Sequence, residues 1–187
     1  PANSRPDVIS FTSKPFEKYI SPMIKDESKF IYLPQYGDEE YIVNPIKNKN
    51  NGIIDFVFAG NLGMGQTLDV IVNAVNLLRN NDNFVVHFVG NGSKYNDIKQ
   101  LIHNLNLEDK IILHGRKSFE EIREYYELAD ALLITLRGNN FVGNTLPGKM
   151  QTYLTVGKPI FGAINGAGFD VIKVSKSGDC VNSGDYQ

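Results

Sequence analysis

Short apolar segments alternate with amphipathic segments from residue 53 to near the end of the chain, and few folds accommodate that pattern. The apolar segments are IIDFVFAG (53–60), NFVVHFVG (83–90), DKIILHG (109–115), DALLITL (130–136) and KPIFGA (158–163). The amphipathic segments lie at 67–81, 93–107, 118–129, 147–157 and 169–178. Apolar strands separated by helices are typical of a parallel sheet covered on both faces. The sequence therefore predicts an α/β fold with a doubly wound parallel sheet.

Local signals predict where several of the helices begin. Ser93 is the expected N-cap of one helix. Ser118 and Glu121 have the spacing of a capping box at the start of the next. Pro147 lies in the expected first turn of a third helix, a position that tolerates proline because the missing N–H would have no partner there.

The chain before residue 53 is organised differently. DVISFTS (7–13) and KFIYLPQY (29–36) are expected strands, and FEKYISPMI (16–24) is an expected short helix. NPIKNKNNG (44–52) is polar and bounded by glycine, so we expect a linker or loop there. Because the chain starts at Pro1 and stops without an obvious terminal element, we expect a fragment of a longer protein, although processing could also explain the start.

Composition excludes several classes of protein. A net charge of −2 gives no indication of a nucleic-acid partner. No run of about 18 apolar residues occurs, and no signal-peptide pattern is visible. The single cysteine, Cys180, cannot form an internal disulfide and fits a reducing cytoplasm. We therefore expect a cytoplasmic globular protein with one well-buried core and a small appendage.

The loops that follow the expected strands are rich in glycine. They span residues 60–66, 90–93, 115–118, 137–147 and 162–168. In doubly wound sheets such loops meet at one edge, where ligands bind. Glycine permits close backbone approach, and helices that start after the loops present free N–H groups to an anion. Each loop alone could be an ordinary turn, but together they favour a phosphate-bearing ligand.

Two common phosphate motifs are absent from these loops. Gly60, Gly63 and Gly65 give G-x-x-G-x-G, which is not the spacing of the dinucleotide fingerprint, and no acidic residue ends the next strand. No P-loop sequence occurs either. Metal and thiol chemistry have equally little support, because the histidines show no metal-ligand spacing and Cys180 has no partner pattern. We therefore expect no metal site and no cofactor.

The order of the segments resembles the C-terminal half of a GT-B-fold glycosyltransferase of group 1, the retaining family 4. The matching segments are FAGNLGMGQTLDVIVNAVNLL, FVGNGSKYNDIKQLI, IILHGRKSFEEIREYYELADALLI and TLPGKMQTYLTVGKPIFG. DVISFTSKPFEKYI and KFIYLPQYGDEEY resemble the end of the family's N-terminal domain and the interdomain strand. The resemblance implies a small N-terminal remnant over residues 1–45, from the acceptor domain and interdomain segment. Residues 46–187 would then be the donor-binding domain, truncated at its end.

The resemblance also implies the residues that would bind a nucleotide sugar. The donor diphosphate would meet Gly60, Asn61, Gly63, Gln66 and Lys149. The donor sugar and ribose would meet Asn144, Thr145 and Thr152, and the base would meet Gly92, Arg116 and Lys117. The family often carries Arg, Lys and two Glu at the positions of Asn61, Gln66, Asn144 and Thr152, which are neutral here. Lys149 is therefore the best candidate to supply the positive charge, and no catalytic residue is assigned.

The implied activity is sugar transfer from a nucleotide diphosphate sugar, with UDP and an N-acetylhexosamine favoured. The acceptor would be a saccharide or a lipid-linked sugar bound by the missing N-terminal domain, in surface polysaccharide or O-antigen synthesis at the inner membrane face. This fragment would bind the donor and would be inactive alone. Two alternatives remain open: a non-catalytic nucleotide-sugar-binding module and a sugar-nucleotide epimerase.

Overall fold

The computed structural model describes residues 7–23, 26–43, 52–138 and 145–187. Most of the expected linker at 44–52 lies outside the described residues, and so does the site candidate Asn144.

The N-terminal segment forms a small sheet of its own. Strands β1 (Ile9–Phe11) and β2 (Phe30–Tyr32) pair in parallel, and helix α1 (Glu17–Ile20) lies between them in sequence. Single 3-10 turns at Lys14–Phe16 and Ser21–Met23 flank α1, so the expected helix over 16–24 is α-helical only in its middle. Pro22 explains the early end, because its ring cannot continue an α-helix.

The rest of the described chain builds one six-stranded parallel sheet. Its strands are β3 (Ile54–Ala59), β4 (Phe84–Val89), β5 (Ile111–Gly115), β6 (Ala131–Thr135), β7 (Ile160–Ala163) and β8 (Gly178–Val181). The helices are α2 (Leu68–Leu77), α3 (Tyr95–Leu105), α4 (Phe119–Leu128), α5 (Gly148–Val156) and α6 (Gly166–Ser175). The strand order is β5-β4-β3-β6-β7-β8, with every pair parallel.

Helices cover both faces of this sheet, which confirms the predicted doubly wound class. Alternate residues of β3 belong to different core clusters: Phe58 packs with α2 and α3, whereas Val57 and Ala59 pack with α4, α5 and α6. This alternation follows from the two-residue period of a strand. Because both faces are buried, the strand reads as a nearly continuous apolar run.

The strand order reverses at β3, and this reversal locates the crevice. From β3 the chain first moves outward to β4 and β5, and then returns to β6 on the opposite side of β3. Loops after β3 and β6 therefore leave in opposite directions and open a gap between them. In open α/β sheets this gap at the carboxyl ends of the strands is the usual ligand site.

Three sequence expectations differ from the structure. Lys94 rather than Ser93 is the N-cap of α3, because the amide of Lys94 donates to the carbonyl of Leu62 and holds the loop to the β3 side. The last helix begins at Gly166, three residues before the expected 169. Strand β7 is not the final strand, because β8, with the sequence GDCV, pairs beyond it and is too polar to be recognised by periodicity. The capping box of Ser118 and Glu121 is confirmed.

An aromatic contact attaches the segment before the sheet to α4. The Tyr41 ring lies 5.1 Å from that of Phe119 and 5.9 Å from that of Tyr126, centroid to centroid. Gly37 packs so closely on α5 that a β-carbon there would overlap the side chain of Thr155. The chain is therefore fixed to the helical layer from Gly37 to Tyr41.

Candidate functional site

The loops after β3 and β4 are bound to each other along their backbones. The amide of Gly60 donates to the carbonyl of Val89 at 2.8 Å, and the amide of Leu62 donates to that of Asn91 at 2.9 Å. A β-carbon on Gly90, where φ is +144°, would overlap the carbonyl of Gly60. Glycine is required at Gly90 both by its backbone conformation and by this close approach.

Four of the residues predicted to bind the donor meet in this pair of loops. A β-carbon on Gly92 would overlap the side chain of Asn61, and one on Gly63 would lie 2.7 Å from Nδ2 of Asn61. Gly60 directly precedes Asn61 at the carboxyl end of β3. The structure therefore brings Gly60, Asn61, Gly63 and Gly92 together, with the exposed Asn61 amide between the glycines.

A cleft of about 520 Å³ opens beside these loops, a size suited to part of a nucleotide. Its lining comprises Gly60, Asn61, Val89, Gly90, Asn91, Gly92, Arg116, Lys117 and Ile122. The loop after β5 thus supplies the only side-chain cations among the residues that line this cleft. Lys117 Nζ lies 3.0 Å from a carboxylate oxygen of Glu121, and this hydrogen bond raises the pKa of Lys117. Arg116 is exposed.

Lys149 reaches the same end of β3 from helix α5. Its Nζ is buried and lies 3.6 Å from the centroid of the Phe58 ring, close to Gly60. Because Gly60 has no side chain, the lysine chain can cover the end of β3. Nζ has no hydrogen-bond partner among the described residues, and burial lowers the pKa of Lys149 to about 7. An unpartnered buried amine is costly, which points to a ligand group that completes it.

Helix α5 is held in place by Tyr153. Its buried hydroxyl accepts a hydrogen bond from the amide of Ala59 at 2.9 Å and lies 3.3 Å from the carbonyl of the same residue. Lys149 is one turn closer to the start of the helix, so the first turn of α5 lies at the carboxyl end of β3. Pro147 is the N-cap, one position before the first turn in which the sequence predicts it, and it provides no side-chain cap. The first N–H groups of the helix are therefore oriented for an anion.

The segment between β3 and α2 rests on the end of β6. The amide of Arg137 donates to the carbonyl of Gly65 at 2.8 Å, and the hydroxyl of Thr135 donates to the carbonyl of Gln66. Oε1 of Gln66 and Oγ1 of Thr67 are buried without a hydrogen-bond partner among the described residues. Thr67 also has φ of +31°, a left-handed conformation that a β-branched residue rarely adopts. Sequence reasoning missed Thr67, and its only signal was its place at the start of α2.

Two residues of the predicted sugar and ribose group, Thr145 and Thr152, do not line this cleft, and the third, Asn144, lies outside the described residues. Thr145 and Thr152 are half-buried, before α5 and in its second turn. Gln66 and Lys149 lie at the crevice between β3 and β6, but they do not line the cleft beside the loops. No group of three or more His, Cys, Asp or Glu residues in the described ranges has the arrangement of a metal site.

Comparison with known proteins bears on the family and the fold. The family model described as "Glycosyl transferases group 1" matches residues 42–186. No curated protein sequence is significantly similar to the chain.

Solved structures share the fold at low sequence identity. The lipopolysaccharide outer core galactosyltransferase WaaB in its apo form is 17% identical, with a TM-score of 0.73, over 96% of this chain and 50% of that chain. A glycosyltransferase from Rickettsia africae ESF-5 is 17% identical, with a TM-score of 0.77, over 96% of this chain and 50% of that one. Anabaena Alr3699/HepE in complex with UDP is 14% identical, with a TM-score of 0.80, over 100% of this chain and 52% of that one.

The chain therefore spans about half the length of these structures. Within the part of the chain that the structure describes, no helix has the length and apolar character needed to cross a membrane.

Proposed function

The chain belongs to the glycosyl transferases of group 1, and from this premise we propose that it is the donor-binding half of a retaining glycosyltransferase. The donor is a UDP-sugar, with an N-acetylhexosamine as the favoured sugar. Residues 46–187 form the donor domain, and residues 1–45 are the end of an acceptor domain that continues in a longer protein. The observation that carries the proposal is the buried Nζ of Lys149 beside Gly60, which has no hydrogen-bond partner among the described residues.

Sugar transfer from a nucleotide diphosphate places specific demands on such a site. Negative charge grows on the leaving diphosphate as its bond to the anomeric carbon breaks. Amide hydrogens and cations fixed in advance stabilise that charge without having to reorganise. The first turn of α5, the glycine loop after β3 and Lys149 offer both kinds of donor at one place.

Lys149 replaces charge that is missing elsewhere. The customary positions for an Arg and a Lys are occupied by Asn61 and Gln66, which offer only neutral hydrogen bonds. Burial strengthens the interaction of Lys149 with a phosphate, because less water screens it. A diphosphate next to Nζ would also restore its charge, since an adjacent anion favours the protonated amine.

The cleft beside Arg116 and Lys117 would hold the nucleoside end of the donor. It continues from Gly60 and Asn61, so a diphosphate at the end of β3 leaves the base facing the loop after β5. Several of the similar solved structures are described as complexes with UDP, which supports uracil as the base to test first.

The acceptor is a saccharide or a lipid-linked sugar, as suits surface polysaccharide or O-antigen synthesis. The complete enzyme would act in the cytoplasm, peripherally at the inner membrane face, and the acceptor would be held by the domain to which β1 and β2 belong. This fragment would bind donor without turnover. No nucleic acid takes part, in keeping with the net charge of −2.

A second candidate function is a non-catalytic nucleotide-sugar-binding module. The observation that favours it is the neutral character of Asn61, Gln66 and Thr152, where the family often carries charge. Both functions require donor binding, and they differ in whether the full-length protein transfers the sugar. Release of UDP from a UDP-sugar, with formation of a new glycoside on an added acceptor, would support the enzyme.

Calorimetric titration of the chain with UDP, GDP and UDP-sugars tests donor binding. We expect UDP to bind and Lys149→Met to weaken binding about tenfold or more, because a hydrogen bond to a charged group is lost. Gly63→Val should also weaken binding, since its side chain would displace Asn61. Lys99→Met is the matched control, because Lys99 is exposed on α3. Absence of any nucleotide binding at millimolar concentration would contradict the proposal.

A further inference from the structure

A chain of polar side chains crosses the sheet beneath α4. Oδ1 of Asp55 in β3 lies 2.7 Å from Nε2 of His87 in β4. Nδ1 of His87 lies 2.9 Å from Nε2 of His114 in β5, and Nδ1 of His114 lies 3.1 Å from the hydroxyl of Tyr125 in α4. Asp55 and His87 are each 6% exposed. Three adjacent strands and one helix are thus joined by side-chain hydrogen bonds where apolar residues would be usual.

One arrangement of protons satisfies every nitrogen of this chain when both imidazole rings are neutral. Asp55 accepts from Nε2–H of His87, Nδ1 of His87 accepts from Nε2–H of His114, and Nδ1 of His114 accepts from the hydroxyl of Tyr125. Burial, aided by His87 and Lys117, lowers the pKa of His114 to about 4, so that its ring is neutral at pH 7. The orientation of each ring is therefore fixed by its neighbours.

The outer end of the chain reaches the loop that lines the cleft. His114 directly precedes Gly115, whose carbonyl accepts from the amide of Gly90 at 2.8 Å. Nζ of Lys117 lies 6.0 Å from the centroid of the Tyr125 ring. The loop is consequently anchored on one side by β4 and on the other by the side chains of His114 and Tyr125.

We propose that His114 and Tyr125 are positioning residues that set where the loop of Arg116 and Lys117 meets the base of the nucleotide. This inference rests on the proposed function and deepens it. Recognition of the base depends on the polar chain, whereas binding of the diphosphate depends on Lys149 and α5 at the end of β3. The two halves of the donor are held by different structural supports. A change in the polar chain should therefore weaken binding of the base and leave binding of the diphosphate unaffected.

The test measures the affinities of the unmodified protein and of the Tyr125→Phe variant for two ligands, UDP and inorganic pyrophosphate. The phenylalanine keeps the ring and removes only the hydroxyl that holds His114. We expect the Kd for UDP to rise about fivefold to tenfold, as for the loss of one hydrogen bond, while the Kd for pyrophosphate changes less than about twofold. Tyr126→Phe makes the same chemical change at the next position of α4, and Tyr126 does not belong to the polar chain. This control should leave the Kd for UDP and the Kd for pyrophosphate unchanged.

His114→Asn is the second variant, and it decides the question if Tyr125→Phe does not fold by far-ultraviolet circular dichroism. It should weaken UDP binding selectively, since an amide cannot span both neighbours. Equal weakening of UDP binding and pyrophosphate binding would overturn the inference, because the polar chain would then stabilise the fold as a whole and not the loop in particular. Unchanged UDP binding would overturn it as well. If the unmodified chain binds neither probe, the proposed function itself fails, which is a different result from either of these.

Discussion

Replacing Lys149 by methionine should make the protein more stable and a weaker binder of nucleotide. Methionine keeps the length of the side chain and its contact with the Phe58 ring but removes the buried amine. In the free protein Nζ has no hydrogen-bond partner among the described residues, so its charge is destabilising there. Functional sites often retain such destabilising groups because a ligand requires them.

The magnitude follows from the pKa. Burial lowers the pKa of Lys149 from 10.5 to about 7, and a difference of about 3.5 in pKa corresponds to about 5 kcal/mol. The unfolded chain binds a proton that the folded chain lacks between pH 7 and 10.5, so the free energy of unfolding rises with pH across that window. Below pH 7 both states are protonated, and the full destabilisation remains.

Urea denaturation of the two proteins at several pH values measures this effect. Lys149→Met should be more stable by about 2 to 4 kcal/mol at pH 6.5, after allowance of about 1 kcal/mol for the lost cation–π contact. The difference should shrink by about 3 kcal/mol between pH 6.5 and 9.5, because the lysine of the folded protein loses its proton above about pH 7 whereas that of the unfolded chain stays protonated. Other titrating groups are common to both proteins and cancel.

The reasoning is refuted if the stability difference between the two proteins does not change with pH. It is also refuted if Lys149→Met is the less stable protein at pH 6.5. Calorimetry of UDP binding at pH 8 in buffers of different ionisation enthalpy provides an independent check. Binding should take up protons in the unmodified chain, and this uptake should be absent in Lys149→Met.

Three further changes test the geometry around the crevice. Gly90→Ala should destabilise the fold by about 2 kcal/mol or more in urea, because its β-carbon would overlap a carbonyl oxygen, whereas Gly148→Ala, which meets nothing within 4 Å, should be neutral or stabilising. Tyr153→Phe should cost about 1 to 3 kcal/mol, since it leaves a buried amide unpaired, and equal stability would show that water replaces the hydroxyl. Thr67→Gly should raise the urea midpoint by relieving about 1 kcal/mol of strain at φ of +31°. A lowered midpoint would show that Thr67 is not strained in this conformation.

The sequence was sufficient to predict the sheet because its strands are apolar on both sides. Residues 54–59 and 84–89 could be recognised from composition alone, and their parallel pairing followed from the helices between them. Strand β8 escaped notice because an edge strand buries little, and its GDCV sequence shows neither apolar continuity nor alternation. The start of α3 was misplaced because the bond from Lys94 to Leu62 is a tertiary contact that no local signal announces.

The loops of the candidate site were predictable from the sequence, but the burial and the contacts of its side chains were not. Glycine spacing identified Gly60, Gly63 and Gly92, because positions where backbones approach closely require glycine. The burial of Lys149 depends on which residues face it across the end of β3, and no spacing rule encodes that. The contact between His87 and His114 has no signal in the sequence, since the two residues lie 27 positions apart and only the pairing of β4 with β5 brings their rings together. The roles assigned to the site residues remain predictions.

The aromatic attachment between Gly37 and Tyr41 limits how the two sheets can move with respect to each other. Tyr41 is wedged between rings of α4, and Gly37 lies flush against α5, so this stretch travels with the larger sheet as one body. Leu33 and Tyr36, just upstream, are exposed and make no such attachment in the described structure. Moving the stretch from Gly37 to Tyr41 away from α4 would expose the buried ring of Tyr126 to water, and this loss of apolar burial opposes the motion.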